Sequence, residues 1–373
     1  MAQRDPTLAQ LATSVLGSHA TERESPLGRR EQESMVQFGC VNWSAGVLAT
    51  AAPVCEPTGA MQPSMFNPAG APAETILSIT WLLVVICGAI AIVMFALIAY
   101  AAIRCRQTKG NDREPAQVYG SNPIELAWTV IPLLIVFLLF MVSARGIFDL
   151  QRSTPPDGAL EVTVTGHRWW WEFDYGDLGV VTAGELHVPI DDGKPADLFL
   201  TLHSADVNHS FWVPQLGGKM DVIPNHTNYL WLQSNRTGTF VGQCAEYCGN
   251  QHANMLITVI VEPRADFEAW VANQQRDAVE SDAVKAGHDI FLSTACINCH
   301  TVRGTVANGT FAPDLTHIMS RTTIGSGVVR NTPDMLREWV WDPQNIKPGC
   351  DMPSMKLTRD EVDLVCAYLE TLK

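Results

Sequence analysis

Two clusters of soft ligands dominate the C-terminal half of the chain. One is Cys296-Ile297-Asn298-Cys299-His300; the other is Cys244-x-Glu246-x-Cys248-x-x-x-His252-x-x-Met255. In the first, two thiols can add across the vinyl groups of a porphyrin while the adjacent His300 reaches the iron, which makes it a covalent haem attachment signature. In the second, thiolate, imidazole and thioether groups form a donor set suited to copper. One cysteine with two histidines and a methionine would hold a single blue copper, whereas two cysteines allow both sulfurs to bridge two coppers. A disulfide and a zinc site are the competing readings. Zinc has no use for Met255, and its usual loops space the cysteines more closely. A second histidine must come from elsewhere, and His203-Ser-Ala-Asp-Val-Asn-His209 offers two that spacing alone does not separate.

Elements able to hold these clusters follow from hydropathy and charge. From Thr75 to Ile103 the chain carries 29 residues without a charge, and from Leu126 to Ala144 another 19. Both runs are long enough to cross a bilayer as helices, and Pro132 in the second is a kink that neighbouring helices can accommodate. Arg104, Arg106, Lys109 and Arg113 lie in the short connection, marking it as cytoplasmic and putting both flanking segments outside. After Ser153-Thr-Pro-Pro-Asp-Gly158 the texture changes to short alternating runs, among them Leu160–Thr165, Leu198–Leu202 and Tyr229–Leu232, with Met255–Val261 more fully apolar. Strands of this length between Gly, Pro, Asn and Asp clusters predict a β-sandwich or barrel. Phe267, Trp270 and Val271 predict a helix after Pro263, followed by a polar linker. Short helices are expected at Val284–Leu292, Pro333–Val340 and Arg359–Leu372, the last opened by a Thr358/Glu361 capping box.

Composition narrows the function classes. Hydrophobic residues make up 47% and charged ones 17%, with a net charge of −14, so nucleic acid is excluded as a partner and a basic electron-transfer protein is favoured. Between Leu160 and Glu262 there are 4 Lys+Arg against 12 Asp+Glu, a local balance of −8. The ten cysteines do not form a disulfide framework. Four belong to the two clusters, Cys87 and Cys105 lie in or beside an apolar run, and Cys40 and Cys55 are near the N-terminus. Cys350 and Cys366 are either one disulfide or two separate thiols. Residues 1–72 read as a polar tail in which Val47–Val54, ending at Cys55, is either a signal or lipoprotein segment or part of a flexible arm.

Gly242-Gln-Cys-Ala-Glu-Tyr-Cys-Gly-Asn-Gln-His-Ala-Asn-Met255, preceded by Val207-Asn-His-Ser-Phe-Trp-Val-Pro214, resembles subunit II of cytochrome c oxidase with its binuclear CuA centre. The resemblance covers roughly residues 73–263. It implies bridging by Cys244 and Cys248, terminal imidazoles from His209 and His252 but not His203, a weak Met255 ligand, and the backbone carbonyl of Glu246, whose side chain would face a magnesium site shared with the catalytic subunit. Trp169, in Gly166-His-Arg-Trp-Trp-Trp, matches a residue of the family's electron entry path, although an aromatic cluster packing a strand accounts for it equally. Arg168 and Trp170 stand where the family usually carries Gln and Tyr. Glu125 matches a carboxylate that opens a proton pathway in many relatives; a helix-start carboxylate favoured by the dipole accounts for it equally.

Residues 282–373 resemble a class I cytochrome c. Four methionines, Met319, Met335, Met352 and Met355, follow the haem motif, and the similarity of Lys347-Pro-Gly-Cys-Asp-Met-Pro-Ser-Met355 to the family's ligand loop implies Met352 as second axial ligand, with Met355 the alternative. Ala312-Pro-Asp-Leu-Thr-His317 resembles the segment whose proline backs the first axial histidine. The fused order resembles caa-type oxidases. It implies a multidomain membrane protein: tail 1–72, transmembrane helices 73–104 and 124–148 around loop 105–123, a cupredoxin-like all-β domain 149–264, linker 265–283, and an all-α cytochrome c domain 284–373. It further implies copper and haem c as cofactors, and an oxidase subunit I with further subunits as partners. An external donor such as a bc complex or a soluble cytochrome or copper protein, a bacterial plasma membrane with both redox domains outside, and oxygen reduction with proton pumping in subunit I complete the expectation. An electron input module of a nitrous-oxide-reductase-like enzyme and a membrane-anchored copper or haem protein acting alone are the rivals. The first needs a large His-rich domain for which the chain has no room, and a copper carrier has no need of covalent haem.

Overall fold

The computed structural model describes residues 64–373 apart from 107–108, 111–113, 115–116 and 280, so the expected signal segment and Cys55 lie outside the described residues. Two described helices are long and apolar enough to cross a membrane, α1 (Ala71–Arg104) and α2 (Asn122–Leu150). Their large side chains, Ile92 and Phe95 on α1 and Phe137 and Phe140 on α2, point outward with nothing packed over them. That is the surface lipid or partner helices cover. The start of α1 is pinned to the β-domain: Ala69 N–H donates to Gln215 O at 2.7 Å, Asn235 N–H to Ala69 O at 2.6 Å, and Ala71 N–H to Gln233 Oε1 at 3.1 Å. The last of these occupies a first-turn N–H that the helix start would otherwise leave open.

Ten strands follow: β1 (Leu160–His167), β2 (Trp170–Asp174), β3 (Val181–Ala183), β4 (Glu185–Ile190), β5 (Ala196–Ser204), β6 (His209–Trp212), β7 (Lys219–Val222), β8 (Asn228–Ser234), β9 (Gly238–Cys244) and β10 (Leu256–Pro263). They form two five-stranded sheets, ordered β3-β2-β1-β5-β8 and β4-β10-β9-β6-β7. Parallel pairing of β1 with β5 and of β4 with β10 makes each sheet mixed. Alternating residues such as Val162, Val164, Leu198, Leu200 and Leu202 turn inward and meet Phe211, Phe240 and Val259 from the facing sheet. Helix α3 (Arg264–Gln274) closes one end, laying Phe267 and Trp270 against Tyr175, whose hydroxyl accepts from His187 N–H at 2.7 Å and donates to His187 O at 2.9 Å.

The C-terminal segment contains α4 (Lys285–Ser293), α5 (Cys296–Cys299), a small hairpin of β11 (Thr323–Ile324) and β12 (Val329–Arg330), then α6 (Pro333–Trp341), α7 (Pro343–Ile346) and α8 (Arg359–Leu369). The capping box of α8 closes as its sequence predicts, Glu361 N–H donating to Thr358 Oγ1 and Thr358 N–H to Glu361 Oε2. Val362, Val365 and Leu369 face Phe291 and Leu336 in a second core. Helices α4 and α8 cross where Gly287 lies against Leu364, so close that a Cβ at residue 287 would strike the Leu364 carbonyl. Any larger residue there must separate the two helices. Cys366 is buried in this core and Cys350 lies in the loop before α8, both with free thiols, so they are two separate thiols.

Candidate redox centres

The loop from β9 to β10 folds back on itself so that Cys244, Cys248, His252 and Met255 face inward, and β6 brings His209 beneath them. Cys244 Sγ lies 3.9 Å from Cys248 Sγ, and Cys248 Sγ lies 3.6 Å from His252 Nδ1 and 3.9 Å from Met255 Sδ. A ring nitrogen of His209 and the sulfurs of Cys244 and Cys248 all fall within 4.8 Å of one another. Glu246 turns its carbonyl to Cys244 Sγ at 3.2 Å while its side chain is exposed. His203 is outside the cluster, its Nδ1 lying 3.5 Å from Thr227 Oγ1.

The second environment of His209 decides which nitrogen is available. Its Nε2 is 2.8 Å from Asp206 Oδ1, and Asp206 also accepts from Val207 N–H at 2.6 Å and Arg168 N–H at 2.7 Å. Burial opposes ionisation of Asp206, but the bonds from His209, Val207 and Arg168 outweigh it and hold the carboxyl below its usual range. A carboxylate only accepts, so the imidazole proton sits on Nε2 and Nδ1 keeps its lone pair. That Nδ1 is buried and makes no hydrogen bond. Burial works against protonation of His209, yet Asp206 and the Cys244 thiolate raise its pKa. The thiol of Cys248, donating to Cys244, lowers the Cys244 pKa well below a free thiol and in turn raises that of Cys248. Two sulfurs sharing one proton in a buried pocket are primed to release it when a metal binds.

A cavity of about 660 Å³ opens between the β-domain and the C-terminal segment, lined by Cys296, Cys299, His300, Pro313, Met352 and Met355 on one side and by His167, Arg168, Trp169 and Trp170 on the other. His300 Nδ1 lies 2.7 Å from Pro313 O, which fixes the ring and leaves Nε2 unclaimed. Burial lowers its pKa, favouring the neutral imidazole that binds iron. Met352 and Met355 both border the cavity, whereas Met319 packs against the helical core. His317 has both ring nitrogens directed at backbone carbonyls, Lys373 O at 2.6 Å and Arg276 O at 3.0 Å, and does not border the cavity. The two sites meet at Trp169, which is buried, walls the cavity and donates from Nε1 to Cys248 O at 3.0 Å. Glu125, at the start of α2, accepts from Ser121 N–H at 3.1 Å, which is the bond of a helix-start carboxylate.

Family models match three parts of the chain. Residues 59–145 match the transmembrane domain of cytochrome c oxidase subunit II, 193–262 its periplasmic domain, and 284–373 cytochrome c. The chain is 34% identical to cytochrome c oxidase subunit 2 of Alkalihalophilus pseudofirmus OF4 over 315 residues, 82% of this chain and 90% of that one. It is 33% identical to the Bacillus subtilis protein of the same name over 338 residues, 83% of this chain and 92% of that one. It belongs to the cytochrome c oxidase subunit 2 family. The C-terminal cytochrome makes it the caa3-type fusion. A solved structure of the periplasmic domain of the Bradyrhizobium japonicum subunit II is 30% identical, covering 33% of this chain and 97% of that one at a TM-score of 0.31.

The subunit II domain implies a CuA centre and the cytochrome c domain implies haem c, and membership in the subunit 2 family implies partnership with subunit 1 and other oxidase subunits. The residues fit both groups. The copper pocket offers two sulfurs, an unclaimed buried Nδ1 and a thioether, and the cavity offers a thiol pair, a neutral imidazole and methionines. Asp206 and Lys347 are functional candidates that sequence reasoning passed over. The first had a legible signal, a carboxylate three residues before a candidate ligand histidine; the second, a buried lysine in a Pro-Gly loop, had none.

Proposed function

We propose that this oxidase subunit takes an electron from an external donor at its cytochrome segment, passes it to the copper pocket past Trp169, and delivers it to subunit 1 for oxygen reduction coupled to proton translocation. When bound, the haem iron and the copper pair each exchange one electron at a time without bond rearrangement. In this reading Cys296 and Cys299 would hold the haem covalently, and His300 and Met352 would supply a nitrogen and a sulfur to its iron. Cys244, Cys248, His209, His252, Met255 and the Glu246 carbonyl would together hold the copper pair, the two thiolates supplying most of the charge that keeps it there. Asp206 keeps the proton on His209 Nε2 and so keeps Nδ1 on the metal side. Both redox domains lie on the outer face of a bacterial plasma membrane, with the basic connection between α1 and α2 inside. The Glu246 side chain, exposed beside the copper loop, faces the magnesium site at subunit 1. A proton-pathway role for Glu125 rests on the family resemblance alone.

The observation that carries the route is the indole of Trp169, which borders the haem cavity and bonds the Cys248 carbonyl at 3.0 Å. Flash reduction of the haem in the assembled oxidase tests it. Absorbance should pass from the reduced haem to the copper pair before the subunit 1 haems change, and Cys296→Ala/Cys299→Ala should abolish copper reduction by the natural donor. Unchanged copper reduction in that double variant would contradict the route.

A further inference from the structure

Two buried charges cross the boundary between the β-domain and the cytochrome segment. Lys347, three residues before Cys350 in the loop that carries Met352, is 3% exposed. Its Nζ donates to Trp169 O at 2.7 Å, Asn254 O at 2.8 Å and Gly325 O at 2.9 Å. Two of those carbonyls belong to the copper side. Trp169 carries the indole that bonds Cys248, and Asn254 immediately precedes Met255. Burial pushes the amine down to about 7; only the ammonium has the three N–H groups that the three carbonyls accept. In the opposite direction Glu185, the first residue of β4, is 2% exposed, and its Oε1 accepts from the cytochrome segment alone. Thr322 donates from N at 2.9 Å and Oγ1 at 2.5 Å, and Thr323 from N at 3.0 Å and Oγ1 at 3.2 Å.

Between them runs a backbone seam, Leu256 N–H donating to Ser326 O at 3.1 Å and Ser326 Oγ to Leu256 O at 3.2 Å. Beside it, Gln251 Nε2 donates to Pro348 O at 2.5 Å. A charge removed from water without compensation is costly; in this register Lys347 Nζ finds three acceptors and Glu185 Oε1 is met by the donors of Thr322 and Thr323, while the buried Glu185 Oε2 meets no partner. A sideways slip would strand an ammonium in one place and a carboxylate in the other. Surfaces that touch only transiently keep their charges wet; here they are dry and reciprocal.

We infer that Lys347 and Glu185 form a reciprocal clamp that fixes the cytochrome segment on the copper domain in one pose, with Lys347 a positioning residue for haem-to-copper electron transfer. The inference rests on the electron route proposed above. It replaces a cytochrome that searches on a tether, where rate would follow effective concentration, by one that is already seated. The step it serves moves one electron from ferrous iron to the copper pair, with no bond made and no proton transferred, so pose alone is what a protein residue can supply.

The test uses the assembled, cofactor-loaded oxidase with wild-type chain, Lys347→Met, Lys347→Arg and Glu185→Gln. Two readouts are taken: hydrogen exchange of the Leu256 amide, which reports docking without any redox chemistry, and the haem-to-copper rate after flash reduction, measured with and without glycerol. In the wild type the rate should be independent of viscosity. Each charged hydrogen bond contributes roughly tenfold or more to an equilibrium in which it is made. Lys347→Met should therefore speed Leu256 exchange by at least about tenfold and make electron transfer slower and viscosity-dependent, with haem and copper spectra intact. Glu185→Gln, whose contacts go only to Thr322 and Thr323, should loosen docking in the same way even if Lys347→Met disturbs folding. Lys347→Arg, which keeps the charge but not the compact ammonium, should fall between. A viscosity-dependent wild-type rate, or unchanged Leu256 exchange in both Lys347→Met and Glu185→Gln, would overturn the clamp. Slow Leu256 exchange lost in the variants, together with no haem-to-copper transfer in the wild type, would leave the clamp standing and remove the route instead.

Discussion

Replacing Asp206 by asparagine should weaken copper binding without touching a ligand. Asp206 meets three donors, Val207 N–H, Arg168 N–H and His209 Nε2–H, at 2.6, 2.7 and 2.8 Å. An asparagine can turn its oxygen to His209 and Val207 only by turning its NH₂ toward the Arg168 N–H, donor against donor. The charge that stabilises the Nε2–H tautomer is lost in either orientation. A hydrogen bond to a charged group contributes about 1.5–3 kcal/mol, and removal of such a carboxylate behind a metal-bound histidine typically lowers affinity by roughly 10- to 100-fold. Competition titration of the whole chain in detergent against a chelator of known copper affinity gives the number. We expect a loss within that range, with the β-domain still folded by circular dichroism. His209→Ala should lose considerably more. An Asp206→Asn affinity within about twofold of wild type would refute the claim that Asp206 sets the tautomer.

Gly249→Ala tests the packing of Trp169: φ there is +121°, and a Cβ would lie 2.9 Å from Trp169 Cζ2. It should cost about 1–3 kcal/mol in chemical unfolding and displace the indole, visible as a change in tryptophan emission. Met352→Ala should remove the methionine-to-iron charge-transfer band and lower the haem potential, while Met355→Ala should leave both near wild type; the reverse pattern would reassign the axial ligand. Thr358→Ala should destabilise α8 by about 1 kcal/mol in urea unfolding. Thr358 backbone and hydroxyl groups hold the Glu361 carboxyl below its usual range. Its stabilisation is therefore present above the ordinary carboxylate pKa and lost as pH falls through the lower folded value. Unfolding measured at several acidic pH values should show that dependence weakened in Thr358→Ala.

Local chemistry was the part of this protein that its sequence exposed. The haem pentapeptide and the Cys244–Met255 run place ligands within one turn of chain, and two uncharged runs declare two long helices, because in each case the interacting groups are neighbours in sequence. His209 could not be chosen over His203 from spacing, since β6 and the copper loop meet only when β6 pairs with β9. The polar linker after Phe267, Trp270 and Val271 carries no pattern that says where the cytochrome segment sits. The seam closed by Lys347, Glu185 and Ser326 joins residues 70 to 178 positions apart in sequence, and no periodicity records such a match. Lysine beside Pro-Gly reads as solvent-facing, and Glu185 at a strand start reads as an edge charge. Both are buried where the facing domain supplies partners, Trp169 O and Asn254 O for Lys347 Nζ and the Thr322 and Thr323 donors for Glu185 Oε1.

Electron paramagnetic resonance of the copper-loaded full chain in detergent, oxidised by one electron from the fully reduced form, tests the central claim most directly. A spin shared equally by two copper nuclei bridged by Cys244 and Cys248 should give a seven-line hyperfine pattern, and Cys248→Ser should destroy it. A four-line spectrum from one copper in the wild-type chain would contradict the dinuclear centre, and with it the relay from cytochrome segment to subunit 1.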